Sequence, residues 1–269
     1  MLNIAATTCR GLRGWVISSE PVTLLFTHES CLERLLHKSE TCDRSPSDTS
    51  PNQTRNLNDP AQEELQQTPN DVFAAAVVFE MALGLLALIL GWTLGPDARA
   101  LIPTLGNETI WPVVSGIGYG CLAAIPIYVF IEMVRKIPCE PVRELERLSD
   151  DGMFKTLLQL SAVELILISI AAGVGEELLF RGWLMYFLAS PTGEPAGMVE
   201  MGAALVASSI AFGLVHPITK LYVVLAAIMG VYFGLLVILT DNLLIPITAH
   251  AAYDAAQLII AGRKPQTAS

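Results

Sequence analysis

Three ionisable side chains fall within six positions of an apolar stretch: Glu176, Glu177 and Arg181 in AAGVGEELLFRGWLMYFLAS, residues 171–190. Two further polar islands follow in apolar surroundings, His216 in IAFGLVHPI and His250 with Asp254 in AHAAYDA. A charge at mid-bilayer costs roughly 2.5–3.5 kcal/mol on insertion scales. Such groups persist where they pair, meet water or do chemistry. Carboxylates and imidazoles in that setting suit proton transfer or metal-assisted hydrolysis.

Helical spacing sorts these residues. Glu177 and Arg181 are four apart with the acid first, so they share a face and can neutralise each other. Glu176 points about 100° away and is left over. An unneutralised carboxylate in low dielectric is a candidate base or acid near neutrality. The plainer alternative is a salt-bridge network of all three that locks helices together. His216 stands before Pro217, with Phe212 one helical turn earlier. A single histidine in an apolar run is more often a hydrogen-bonded core residue than a catalyst. His250 and Asp254 are again four apart, and an acid so placed can fix a tautomer or share a metal. That spacing also arises by chance. Glu164 lies early in its segment, where it can snorkel. Lys220, Asp241, Glu194 and Glu200 fall at expected turns or span ends.

The elements that carry these residues are apolar runs of membrane-spanning length. The chain has 269 residues, of which 52% are hydrophobic, and a mean hydropathy of +0.52. Runs near 20 residues long, rather than the shorter runs of a soluble core, give an all-α, polytopic helical membrane bundle. About six spans are expected: Phe73–Leu94, Trp111–Ile131, Leu157–Leu188, Met198–Val215, Leu221–Leu239 and Leu243–Ile260. The second is loosened by Gly116, Gly118, Gly120 and Pro126. The third is too long for one upright pass, so it is tilted, extended or broken near Gly173–Gly175. Small residues such as Ala203, Ala204, Ala207, Ser208 and Ala211 suit close helix contact in lipid.

Four regions result. Residues 1–72 form an N-terminal extension, largely disordered by composition or derived from a start codon read too far upstream. Residues 73–156 hold two accessory spans and a loop, 157–262 the core with the polar islands, and 263–269 a tail. Arg135, Lys136, Arg143, Arg147 and Lys155 make 132–156 the basic loop, which puts it and both termini in the cytoplasm. A re-entrant 157–188 would flip everything after it. The five cysteines, Cys9, Cys31, Cys42, Cys121 and Cys139, include no C-x-x-C pair, so free thiols are expected. No basic stripe suits nucleic acid.

Together the islands read E-E-x-x-x-R-G, F-x-x-x-H and H-x-x-x-D on three successive apolar stretches. This resembles the CAAX prenyl protease and bacteriocin-processing family of intramembrane endopeptidases, over about residues 157–262. The resemblance implies a bundle with a polar cavity reaching into the membrane and hydrolysis of a peptide bond in a hydrophobic or lipidated peptide or protein. It implies Glu176 as the base activating water with His216, Glu177 and Arg181 as residues shaping the site, and His250 with Asp254 facing the scissile carbonyl. The last position is often Asn in the family. Ionised Asp cannot donate to an oxyanion, which leaves His250 as the donor and Asp254 to orient it or stay protonated. No cofactor is required by this chemistry, although Glu176, His216 and His250 could also supply a zinc site. The expected partners are the peptide substrate and membrane lipid, and the expected location is the cell membrane. A non-catalytic peptide-binding protein of the same fold, such as an immunity factor or scaffold, is the alternative. A small proton-relaying transporter is a third reading, disfavoured because no internal repeat is evident.

Overall fold

Helix signals at the chain level become helix boundaries in the computed structural model, which describes residues 68–104, 110–147, 152–191 and 194–263. Residues 1–67 of the expected 1–72 extension, with Cys9, Cys31 and Cys42, lie outside the described residues, as does most of the tail, while 68–72 form the cap and first residues of the first helix instead of ending the extension. Thr68 opens helix α1 (Pro69–Leu94) with a capping box to Asp71 and proline in the first turn, the start that orphan N–H groups favour. Helix α2 (Trp111–Arg135) runs through Pro126 without ending there. Two short helices, α3 (Glu140–Arg147) and α4 (Gly152–Leu157), follow in the basic loop.

The long apolar run then begins afresh at Ser161, which caps α5 (Ala162–Glu177) in a box with Glu164. Glu164 is therefore a half-buried capping residue, and it takes no part in the site. From Ala162 the path stays helical to Ala189: α5, a π-helical segment Leu178–Leu184, and α6 (Met185–Ala189). Of the three options for this run, the break near Gly173–Gly175 is absent, and a wider turn follows the two glutamates instead. Helices α7 (Met198–Leu214), α8 (Lys220–Thr240) and α9 (Leu244–Gly262) complete the core.

Four of these helices, α1, α2, α8 and α9, are long and apolar enough to cross a membrane, and α7 is a shorter apolar helix. Together with the continuous 162–189 path they make the polytopic all-helical bundle that the sequence indicates. Large apolar side chains such as Val78, Leu85, Leu122, Ile210 and Val224 point outward, as lipid-facing positions do. Trp92 and Trp111 are exposed near span ends, where interfacial aromatics belong.

Glycine sets how closely the helices approach around the site. A Cβ on Gly175 would lie 2.1 Å from the backbone oxygen of Glu80 on α1, and one on Gly173 would lie 2.7 Å from the backbone oxygen of Ile247 on α9. On α2, Gly120 meets α9 in the same way, at 2.7 Å from the oxygen of Ile245. Packing in lipid rests on such close backbone contact rather than on a hydrophobic drive between helices. Helix α9 packs most extensively against α2 and α5, while α1 packs on α5 and α7 on α8. Gly116 and Gly120 of α2 thus seat the helix that carries His250.

Candidate active site

The wider turn after Glu177 shapes the charged cluster. In the π segment, bonds such as Met185 N–H to the Phe180 carbonyl span five residues, and such turns recur at functional sites. Widening the turn stacks residues four apart almost above one another. Arg181 Nη1 accordingly donates to Glu177 Oε1 at 2.9 Å, with side-chain exposures of 1% and 0%. The pair expected from spacing is present, and it is sealed.

Its surroundings show how a buried guanidinium is tolerated. Arg181 Cζ lies 4.1 Å from the ring centre of Phe212, 5.4 Å from Phe233 and 5.9 Å from Phe180, a cation–π setting on three sides. Gly230 leaves room for it, since a Cβ there would stand 3.1 Å from Arg181 Nη2. Glu177 Oε1 also accepts from His250 Nδ1 at 2.9 Å, a bond that helical spacing cannot reveal because 73 residues separate the partners. The His250 ring stacks on Phe233, with centroids 5.0 Å apart and planes at 14°. Glu177 thus ties α5 to α9 as well as to its own helix.

This changes the expected role of Asp254. The sequence suggests that Asp254 orients His250. In the structure Glu177 holds Nδ1, and Asp254 Oδ2 lies 3.3 Å from the other ring nitrogen, Nε2. Glu176 Oε2 faces that same Nε2 at 3.9 Å. Asp254 therefore shares the reactive side of the ring instead of bracing it from behind.

His216 sits just beyond α7 rather than within a span. The helix tightens at its end: His216 N–H bonds to the Gly213 carbonyl, a three-residue step. The Phe212 carbonyl, which a continuing helix would have given to that N–H, is one of the orphan acceptors of a C-terminus. It accepts instead from His216 Nδ1 at 2.7 Å. Pro217, which disfavours helical backbone at the residue before it, helps end the helix here. The F-x-x-x-H spacing thereby acquires a cause, since the backbone of Phe212 fixes the tautomer of His216 while its ring packs at 4.8 Å. With its proton on Nδ1, His216 turns Nε2 to Glu176 Oε1 at 3.6 Å. That gap exceeds a direct hydrogen bond and admits one water in contact with both.

Glu176, His216, His250 and Asp254 all border one cavity of about 260 Å³, as the unpaired glutamate required. The cavity continues past Tyr222 and Gln257 to Arg135 and Phe154. Glu176 Oε2 has no hydrogen-bond partner among the described residues. Glu176 lies 3.6 Å from His216 Nε2 and 3.9 Å from His250 Nε2, and His250 Nε2 lies 3.3 Å from Asp254; among the described residues no group of three or more His, Cys, Asp or Glu takes the form of a metal site. Cys121 and Cys139 are free and lie elsewhere.

Sequence reasoning passed over two polar residues. Glu80 interrupts the first span, its backbone against Gly175, with Oε2 buried and unpartnered among the described residues. It lies within electrostatic reach of Glu176 and His250. An acid inside an otherwise uncharged span was the available signal. The second is Gln257, three residues beyond Asp254 on α9, which borders the cavity.

Residues 158–256 match the family described as Type II CAAX prenyl endopeptidase Rce1-like. The match takes in every member of the charged cluster, and the likeness read from the three motifs holds over this membrane core. It points to a CAAX-type intramembrane endopeptidase. No curated protein and no solved structure gives a significant match.

Proposed function

We propose that the chain cleaves a peptide bond in a hydrophobic or lipidated peptide or protein, with Glu176 as the general base. The observation that carries this reading is the 3.6 Å gap between Glu176 and His216 Nε2 at the wall of the cavity. Water held there loses a proton to Glu176 as its oxygen bonds to the scissile carbonyl carbon. The carbonyl π electrons move to the oxygen, which protonated His250 stabilises through Nε2–H while Glu177 keeps hold of Nδ1. Asp254 balances that imidazolium. Collapse of the tetrahedral intermediate breaks the C–N bond, and Glu176 or His216 returns the proton to the leaving amine. Glu177 and Arg181 carry no proton in this scheme and act by holding α5 and His250.

The scheme uses side chains alone and asks for no metal. Prenylated substrates suit the family's name and the apolar lining supplied by Leu145, Phe154 and Leu158. Those residues belong to the basic loop or its borders, and the 162–189 path is helical throughout. With that path taken as a single pass, the charge bias supports a cavity mouth on the cytoplasmic face of the cell membrane.

The test is cleavage of a peptide panel, prenylated and not, by purified protein in liposomes. Glu176→Gln and His216→Ala are expected to lower turnover by about 10²-fold or more while leaving the melting transition in place, and a chelator is expected to change nothing. Wild-type turnover in Glu176→Gln would overturn the mechanism. Loss of activity with chelator, restored by zinc, would replace it with a metal-dependent one.

A further inference from the structure

The reactive groups occupy only part of the cavity wall, and the remaining polar groups there differ in whether they are engaged. Arg135 donates to Glu132 at 2.8 Å. Gln257 has no such bond: its Nε2 and Oε1 are both buried, and neither has a hydrogen-bond partner among the described residues. A carboxamide with donor and acceptor both idle is costly in a buried setting. Its two atoms match the N–H and C=O of one residue in an extended chain, which point to the same side and can pair with them in two antiparallel hydrogen bonds, whereas those of a single trans peptide group point apart.

Its position on α9 fixes where such a pairing would fall. Gln257 follows His250 by seven residues, close to two full turns, so both lie on one face, roughly 10 Å apart along the axis. An extended peptide advances roughly 3.3 Å per residue, so that separation spans about three residues of substrate. We propose that Gln257 is a substrate-positioning residue that pairs its carboxamide with the N–H of the third peptide group from the scissile bond and the C=O of the same residue. The selectivity that results is for an extended peptide of sufficient length, whatever its side chains, because only backbone atoms are read.

This inference rests on the endopeptidase reading, and its test separates the two. Binding of a labelled uncleaved peptide is measured on Glu176→Gln protein with and without Gln257→Leu, and kcat and KM are measured for Gln257→Leu alone. Loss of a paired buried amide is expected to weaken binding and raise KM by about tenfold, with kcat within about twofold. A scan of N-methylated peptides is then expected to show its largest wild-type penalty at the third peptide group, with that penalty vanishing in Gln257→Leu. Gln257→Glu keeps the shape but loses the donor, and is expected to lose the contact while remaining folded. Unchanged peptide affinity in Gln257→Leu, a flat scan, or a penalty that peaks at another group would overturn the proposal. Cleavage that persists in Glu176→Gln overturns the catalytic reading instead and leaves the binding result to be judged separately.

Discussion

The two glutamates at the end of α5 are neighbours in sequence and opposites in setting. Glu177 faces inward, locked to Arg181 and His250 at 2.9 Å each, with three phenylalanine rings around the guanidinium. Glu176 faces the cavity, and its nearest imidazole nitrogens stand 3.6 and 3.9 Å away. One side of the site is closed by direct bonds, with Glu177 Oε2 and Arg181 Nη2 left unpartnered among the described residues, while the other is spaced for something to enter. The same chemical group thus serves as a fastener or as a reactant according to whether its partners touch it. That division predicts which substitutions cost fold and which cost turnover.

The closed side gives the largest expected effect on stability. Arg181→Ala would strand Glu177 as a buried carboxylate, and breaking one partner out of a buried pair costs about 3–5 kcal/mol. In detergent the melting temperature is expected to fall on the order of 10 °C, and turnover to fall with it, because Glu177, which braces His250, loses its own partner. Glu176→Gln is the counterpart on the open side, where turnover goes and melting stays. If Arg181→Ala melted like wild type, the closed side would not be the fastener described.

Much of this division was legible in the sequence. The four-residue spacings of Glu177 with Arg181 and of His250 with Asp254 set local faces, and both pairs meet. The boundaries of the later spans were readable because their turns carry proline, asparagine or charge. What spacing cannot supply is any contact between helices. The Glu177–His250 bond crosses from α5 to α9, so the role given to Asp254 shifted once that bond was seen. The π segment has no sequence signature comparable to a cap, and its wider turn was invisible for that reason. Glu80 was missed because α1 lies outside the segment that carries the motifs, although its backbone rests on Gly175.

Glycine substitutions test whether the open side depends on that outside helix. Gly175→Ala places a methyl group 2.1 Å from the Glu80 backbone oxygen, so α1 and α5 must separate at the residue before Glu176. Overpacking of this kind costs about 1–3 kcal/mol, and turnover is expected to fall because the general base moves with its helix. Gly118→Ala is the matched control, since its Cβ would meet nothing within 4 Å. It is expected to leave turnover unchanged and to hold or raise the melting temperature, as alanine outranks glycine inside a helix. Equal effects from the two would remove helix contact as the explanation.

The smallest expected effect sharpens the comparison by keeping the chemistry and changing the surroundings. Glu140 accepts from Arg143 at 2.7 and 2.9 Å and from Arg147 at 3.3 Å, the same residue types as the sealed pair but exposed on the basic loop. The Arg143 hydrogen bonds hold the Glu140 carboxyl below its ordinary range. A depressed carboxylate contributes its stability above the unfolded value and loses it as pH falls through the folded one. Glu140→Gln is therefore expected to match wild type in turnover at every pH. Any difference in melting should be small, present near neutrality, reduced by salt and gone in acid. Exposed pairs of this kind contribute little, because water already solvates both ions. A melting loss in Glu140→Gln as large as that in Arg181→Ala would mean that the pairing itself, and not its burial, carries the stability.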